Sequence, residues 1–379
     1  MHKQASKPLK ILLISTDCGS NTYRKQYNAF GGVTYYRLVA PQEALKDSTR
    51  VQMDYFGNDQ YKDGRENFKE FLGNYDAVIA KHIDNPGGAK ALAMACKWNR
   101  IPLIYDLDDD LLSVRDDQPA HELGYNKGGM KRVYAATNMS FAKAFFVSTE
   151  PLKESYQRFY KDVFNIDMPV YVLPNYIDPT LYDNFTSETP KGKVVLGYHG
   201  SMTHDSDLEI VIPAIDRLIV KHKNLYCELM GSVRKDSVSR LFDGVKNKDN
   251  FRIMGGTPAF DSFPFALMNQ KWSIGIAPLI DDAFNRGKSH IKYMEYSMKK
   301  IPTVASAVYP YSKNAKEALL CKTSQEWYDT LDSLISDKKK RVEIGERAYK
   351  HVVAEQQYKD YAYLWEEAIE AVIKSDKKL

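Results

Sequence analysis

Cysteine is scarce in this 379-residue chain, and the four present, Cys18, Cys96, Cys227 and Cys321, follow neither a zinc spacing nor a disulfide framework. They read as reduced thiols of a reducing compartment. No apolar run approaches the roughly 20 residues of a membrane span. The start, Met1 to Lys10, lacks the apolar core of a signal peptide, which predicts a cytoplasmic protein. Low-complexity tracts are missing too. With 44% hydrophobic and 27% charged residues the composition is that of a folded chain rather than a disordered one. There is no Ser-His-Asp arrangement. A net charge of +4 permits a polyanionic partner without demanding one.

What is present is alternation. The length suits two domains of about 150 to 200 residues. In the N-terminal half, short apolar runs at Lys10 to Thr16, Val51 to Phe56, Asp76 to Lys81, Pro102 to Asp106, Phe145 to Ser148 and Val170 to Leu173 read as strands. Helical patterns stand between them at Val33 to Lys46, Glu66 to Leu72, Ala89 to Trp98 and Met130 to Ala142. That order means βαβ units and a parallel sheet, with ligands outside the carboxyl ends of the strands.

Pro174 to Lys193 is rich in Pro, Asp, Thr and Ser with little apolar periodicity, and reads as a linker. Alternation then restarts. Strands are expected at Val194 to Tyr198, Leu225 to Met230, Phe251 to Met254, Ile274 to Ala277 and Thr303 to Ser306, with helices at Asp207 to Lys221, Phe260 to Gln270 and Ser289 to Lys299. Residues Ser324 to Lys374 read as helical. The expected organisation is an α/β chain of two Rossmann-like domains, residues 1–180 and 181–355, facing each other across a cleft. Residues 356–379 form a terminal helix that packs back on the N-terminal domain.

The most telling stretch runs from Phe284 to Ser306. Gly287, Lys288 and Ser289 fall where a loop turns into a helix, so backbone N–H groups and the helix dipole are placed to meet a diphosphate. Lys288 and Lys292 add positive charge at i and i+4, with Arg286 beside them. Glu295 lies about two turns in, roughly 10 Å from the expected helix start at about 1.5 Å per residue, which suits a carboxylate gripping ribose hydroxyls.

Several segments resemble a GT-B glycosyltransferase of the large retaining family that uses nucleotide sugars, including bacterial and phage members. Gly31-Gly32-Val33 is similar to that family's glycine-rich loop after the first strand. Leu173 to Asp178 is similar to its Pro-Asn-Gly-x-Asp segment, with Tyr176 in place of glycine. Gly197 to Ser201 opens the second domain, and Lys288 to Ser306 is similar to the donor signature. The resemblance implies a donor site of Gly31, Gly32, Gly200, Ser201, Arg286, Gly287, Lys288, Ser289, Lys292 and Glu295. It also implies UDP as product, no required cofactor and no metal. Two departures stand out: Gly287 occupies the first position of the family's Glu-x7-Glu pair, and residues 201–207 contain no Lys or Arg.

For catalysis the candidates are Asp106, Asp108, His82 and Lys288. The acidic run Asp106 to Asp110 closes a strand of the first domain and reads as acceptor binding or base chemistry, with a helix cap or a metal site as the other readings. Lys81 and His82 end the neighbouring strand. His121 and His199 carry weaker signals, and Tyr35, Tyr36 and Arg37 read mostly as packing or surface. The chemistry implied is hexosyl or pentosyl transfer to a glycan or small saccharide. A hydroxymethylated DNA pyrimidine is the rival acceptor, since basic and aromatic residues mix in Tyr23 to Tyr27 and Lys131 to Tyr134. A non-catalytic binder of nucleotide sugars and an epimerase are the other readings. Lys131 to Lys143 is a poor candidate for a basic amphipathic membrane-surface helix, which favours a soluble acceptor. Oligomeric state is not legible.

Overall fold

The computed structural model describes residues 7–15, 18–20, 28–56, 68–81, 83, 86–114, 125, 127–183, 190–200, 205–231, 241–255, 260 and 262–377. The chain divides into two compact units. One is built from the described residues among 1–112, 124–175 and 358–379, the other from those among 113–123 and 176–357.

The first unit centres on a six-stranded parallel sheet in the order β4-β1-β5-β6-β7-β8, where β1 is Leu9–Ile14, β4 Val51–Phe56, β5 Ala77–Lys81, β6 Leu103–Leu107, β7 Ala144–Val147 and β8 Val170–Val172. A short antiparallel ribbon, β2 (Cys18–Ser20) with β3 (Asn28–Phe30), precedes the first helix. Ile11 to Ile14, Ala77 to Ala80, Leu103 to Leu107 and Ala144 to Val147 are buried without a break. Such runs have no solvent-facing side, so each strand needs cover on both sides, which the crossover helices supply.

The helix after β3 runs from Gly32 to Ala44 with a π-helical turn at Tyr35–Val39. Pro41 accounts for that turn: it has no N–H to donate, its ring crowds the carbonyl four residues back, and widening the turn relieves both. Helix Glu150–Phe164, which the sequence reading did not anticipate, joins β7 to β8. It starts at Thr149, whose hydroxyl accepts the Leu152 N–H, and ends at Asn165 in the left-handed region.

The C-terminal helix Tyr363–Asp376 belongs to the first unit. Trp365, Ala368, Ile369, Val372 and Ile373 recur at helical spacing and join Ile11, Leu13, Val51, Ile79 and Phe146 in one core. Residues 356–374 are not one continuous helix as expected. The preceding helix Lys338–Glu355 stops because Gln356 is engaged elsewhere: its backbone carbonyl accepts from Ile177, and its side chain meets His290 and donates to Asn314.

The second unit repeats the plan with the order β11-β10-β9-β12-β13-β14: β9 Val194–Gly200, β10 Leu225–Gly231, β11 Phe251–Met254, β12 Ile274–Ala277, β13 Thr303–Ser306 and β14 Leu319–Cys321. Its core gathers Leu196, Ile215, Leu218, Leu229, Ile276 and Trp327. In both sheets the chain builds outward one way and then reverses. The reversals lie between β1 and β5 and between β9 and β12, and in such sheets the crevice at the carboxyl ends beside a reversal is where ligands bind.

Candidate functional site

In the second unit the carboxyl end of β9 carries Tyr198, His199 and Gly200, and the loop after β12 faces it across the reversal. That loop is tightly held. Buried Asp207 accepts the Ile280 N–H at 2.8 Å and the Asn285 amide at 2.9 Å, while Leu279 N–H donates to Ser306 Oγ at 2.9 Å. A short helix, Ala283–Arg286, follows with Asp282 as its cap.

This turn corrects one expectation. The N–H groups of Gly287 and Lys288 donate to the carbonyls of Phe284 and Asn285, so they close the short helix rather than point at an anion. The next helix, Ile291–Met298, begins two residues later than expected, with His290 at its cap. The amides facing out of its N-terminus are therefore those of its own first turn. Glu295 consequently lies one turn in, about 6 Å from the helix start rather than 10 Å.

Two side chains of that helix reach the end of β9. Lys292 Nζ sits 5.6 Å from the centre of the Tyr198 ring. Glu295 Oε2 lies 3.1 Å from His199 Nε2, with both side chains almost wholly buried. The His199 ring stacks parallel to Trp272 at 6.4 Å and takes the edges of Phe263 at 5.3 Å and Tyr296 at 5.1 Å. Two glycines make room for this aromatic bed. A Cβ on Gly197 would fall 1.9 Å from Trp272, and one on Gly275 would fall 2.4 Å from Tyr296. Trp272 is fixed from outside by its indole N–H, which donates to Glu228 at 2.9 Å. Tyr296 donates to the Ile276 carbonyl at 3.1 Å, and burial pushes its hydroxyl far above the usual range, so it stays a neutral donor.

Lys288 is half-buried with its ammonium 4.5 Å from the Phe284 ring. Arg286 is different. It is exposed and holds Asp281 at 2.7 Å, a pairing that directs its charge to the surface. At the cap of the helix, buried His290 meets Gln356 at 3.1 Å, and burial pushes its imidazole down to about 4.

In the first unit, Gly31 caps the helix that begins at Gly32, and its carbonyl accepts the Tyr35 N–H at 3.0 Å. Ser15 and Thr34 hydroxyls meet at 2.8 Å where β1 ends. The acidic run then resolves into separate jobs. Asp106 takes two hydrogen bonds of 2.8 Å from Arg37 and has no exposed surface, which removes it as an acceptor base: both oxygens are committed. Arg37 also donates to the Leu173 carbonyl and to Asn175 at 2.9 Å, and lies 5.3 Å over the Trp365 ring. Burial works against the guanidinium charge, but the Asp106 carboxylate more than offsets it and the net shift is upward.

Asp110 caps Leu112 at 3.1 Å and accepts from Ser155 at 2.6 Å. Asp109 accepts from Tyr156 through its carbonyl at 2.9 Å. Asp108 remains, half-buried just past the carboxyl end of β6. Burial, and next the charge of Asp109, push it up to about 7 against the pull of Lys81 and Arg37. Among the described residues no three metal-ligating side chains gather. His82 and Ser201 lie outside the described residues, as do His121 and Tyr23 to Tyr27.

Sequence reasoning gives His199 only a weak signal, and it places Arg37 among packing or surface residues, of which the structure realises the buried one, without foreseeing its ion pair. A histidine beside the glycine that ends the first strand of a restarted alternation was the available signal for the former. Nothing local flags the latter, because its partner is 69 positions away.

No protein-family model matches this chain, and no curated protein matches it. Solved structures do. Anabaena HepE in complex with UDP-glucose is similar over 96% of this chain and 100% of its own length, with a TM-score of 0.64 and 14% identity. The trehalose-6-phosphate synthase OtsA covers 97% of this chain and 99% of itself at a TM-score of 0.62 and 9% identity. A Staphylococcus aureus TarM variant in complex with Fondaparinux, alpha-GlcNAc-glycerol and UDP covers 80% of this chain at a TM-score of 0.56 and 14% identity. The match spans 58% of TarM's length. The shared feature is the fold, and it is the GT-B glycosyltransferase fold.

Proposed function

We propose that this chain transfers a sugar from a nucleoside-diphosphate donor, a UDP-sugar first, to a hydroxyl of a saccharide acceptor, with retention and without a metal. The observation that carries this reading is the convergence at the β9/β12 reversal of Lys292, Glu295, His199 and Gly200, within a fold matched end to end by a structure holding UDP-glucose. Glu295, oriented by His199, accepts hydrogen bonds from the ribose hydroxyls. Lys288 and Lys292 neutralise the diphosphate, whose charge grows as the bond from C1 to the phosphate oxygen breaks. Gly200 lets the backbone come close to the donor.

The acceptor oxygen bonds to C1 and UDP departs. The acceptor proton passes to the leaving phosphate, or to Asp108 where the acceptor hydroxyl reaches it; a carboxylate titrating near neutrality suits that transfer. The acceptor chemistry belongs to the first unit.

The deciding experiment is mass spectrometry of products after incubation with a panel of nucleotide sugars and acceptors: simple glycans, hydroxymethylpyrimidine DNA and unmodified DNA. A glycosylated saccharide with retained configuration supports the proposal. Product only on DNA replaces the acceptor. UDP bound tightly with no product from any pair leaves a binding protein, and UDP released with water alone points to an epimerase-like activity.

A further inference from the structure

Two neighbouring helices of the first unit carry an exposed apolar surface that lies outside the residues assigned above to the donor and to proton transfer. Helices Pro86–Asn99 and Met130–Met139 pack side by side, flanking β6 in sequence. On the first, Lys90, Ala91, Met94, Lys97 and Trp98 form an exposed stripe at helical spacing. On the second, Met130, Val133, Tyr134 and Thr137 do the same, continued by Phe141. Six of the thirteen large apolar side chains that stand exposed among the described residues lie on these two stripes, with Trp98 at 70% and Phe141 at 53%. Scattered singly they would mean nothing; gathered on adjacent helices they mark an interaction surface.

The charge pattern says what kind. Residues 86–100 contain Lys90, Lys97 and Arg100 and no acid. Residues 127–143 contain Lys127, Lys131, Arg132 and Lys143, and again no acid. At the chain's own frequency of 49 in 379, these 32 positions would hold about four Asp or Glu. Lys143 is engaged with Asp376 at 2.8 Å, so the outward charge falls to the others.

We infer that this face docks on an anionic lipid bilayer. Long apolar and aromatic side chains rimmed by Lys and Arg match a layer whose interior is apolar and whose headgroups are negative. A nucleic-acid surface would use the cations but leave Met94, Met130 and Val133 without a purpose. Neither helix crosses the membrane: no helix among the described residues is long and apolar enough. The Lys131 to Lys143 segment alone fell short of a membrane-binding pattern because half of the stripe is on the other helix.

The protein carries its own reporter. Of its four tryptophans, Trp272, Trp327 and Trp365 are at most 2% exposed and only Trp98 is open. The full chain is mixed with phosphatidylcholine vesicles and with vesicles also containing phosphatidylglycerol, and co-sedimentation and acrylamide quenching are followed. The expected result is sedimentation with the anionic vesicles only, with loss of quenching and a blue shift of emission. Binding should weaken as salt rises. The Met94→Ser/Phe141→Ser and Lys97→Glu/Arg132→Glu variants should each lower vesicle affinity about tenfold or more while circular dichroism is unchanged. Equal binding of the charge-reversed variant, no protection of Trp98 by anionic vesicles, or protection only by duplex DNA or by self-association would overturn the inference. UDP binding, measured alongside, reports separately on the transferase reading.

Discussion

The Arg37 guanidinium meets the Asp106 carboxylate in two parallel hydrogen bonds of 2.8 Å, Nε to Oδ1 and Nη2 to Oδ2, with neither side chain exposed. The pair ties the first helix to the centre of the first sheet. The third nitrogen, Nη1, donates to both the Leu173 carbonyl and Asn175, anchoring the chain just before it enters the second unit. Asp106→Ala strands a buried cation and should cost about 3 to 5 kcal/mol in urea unfolding. Replacing both partners, Arg37→Met with Asp106→Leu, should cost clearly less. Equal losses would mean that the charge itself is not what the pair protects.

Asp108→Asn carries the opposite expectation. The carboxyl is held up near 7 in the folded chain against about 3.9 in the unfolded one. Between those values the folded state binds more protons, so stability falls as pH rises from about 4 to 7. The variant loses that dependence and should gain about 1 to 2 kcal/mol relative to the parent at pH 8, after allowance for the water that reaches the group. If Asp108 takes the acceptor proton, turnover of the parent climbs through pH 7 and the variant's profile is flat and low. A variant with the parent's rate and profile would remove Asp108 from the chemistry.

On the donor side, Glu295→Ala should weaken UDP binding by about 1.5 to 3 kcal/mol, the range for hydrogen bonds to a charged group, as read by calorimetry. His199→Phe keeps the ring stack on Trp272 and removes the nitrogen at Glu295, so it should weaken UDP in the same direction and by less. Lys288→Ala should reduce kcat more than affinity, because the charge it meets grows in the transition state. Unchanged UDP affinity in Glu295→Ala would end the ribose assignment.

His290 predicts an acid limit. Its imidazole is held neutral, down to about 4, by burial at the N-terminal cap of the helix that carries Lys292 and Glu295. Unfolding exposes it to its ordinary value near 6.5, so the unfolded state binds more protons between the two. The contribution is present above about 6.5 and is lost as pH falls toward 4, amounting to about 2 to 3 kcal/mol. His290→Gln should show a shallower decline of urea midpoint over that window. An identical slope in both proteins would show that other groups set the acid limit.

Strands were the most legible part of the chain. Val51–Phe56, Phe251–Met254, Ile274–Ala277 and Thr303–Ser306 coincide with the runs of β-branched and aromatic residues that announce them. The helix Glu150–Phe164 was missed, although Thr149, Pro151 and Asn165 are capping signals of the ordinary kind. β14 is three residues long, too short to show a period. In the segment from Phe284 to Ser306 the spacing puts Lys292 and Glu295 on one helix, as the structure does, but that helix starts two residues later than the spacing predicts. The Gly287 and Lys288 amides are captured by a four-residue helix that composition does not reveal.

The alternation, the doubling into two parallel sheets, and the helix that carries Lys292 and Glu295 were legible from the residues alone, because period and capping are local properties of neighbouring residues. That Asp106 is paired with Arg37 while Asp108 stands half-buried near Lys81, that His199 stands against Glu295, and that two acid-free helices with exposed apolar stripes pack side by side came only with the folded chain. Each of these depends on groups brought together from distant positions, and burial and pairing, which set what a carboxylate or an imidazole does, exist only after that meeting.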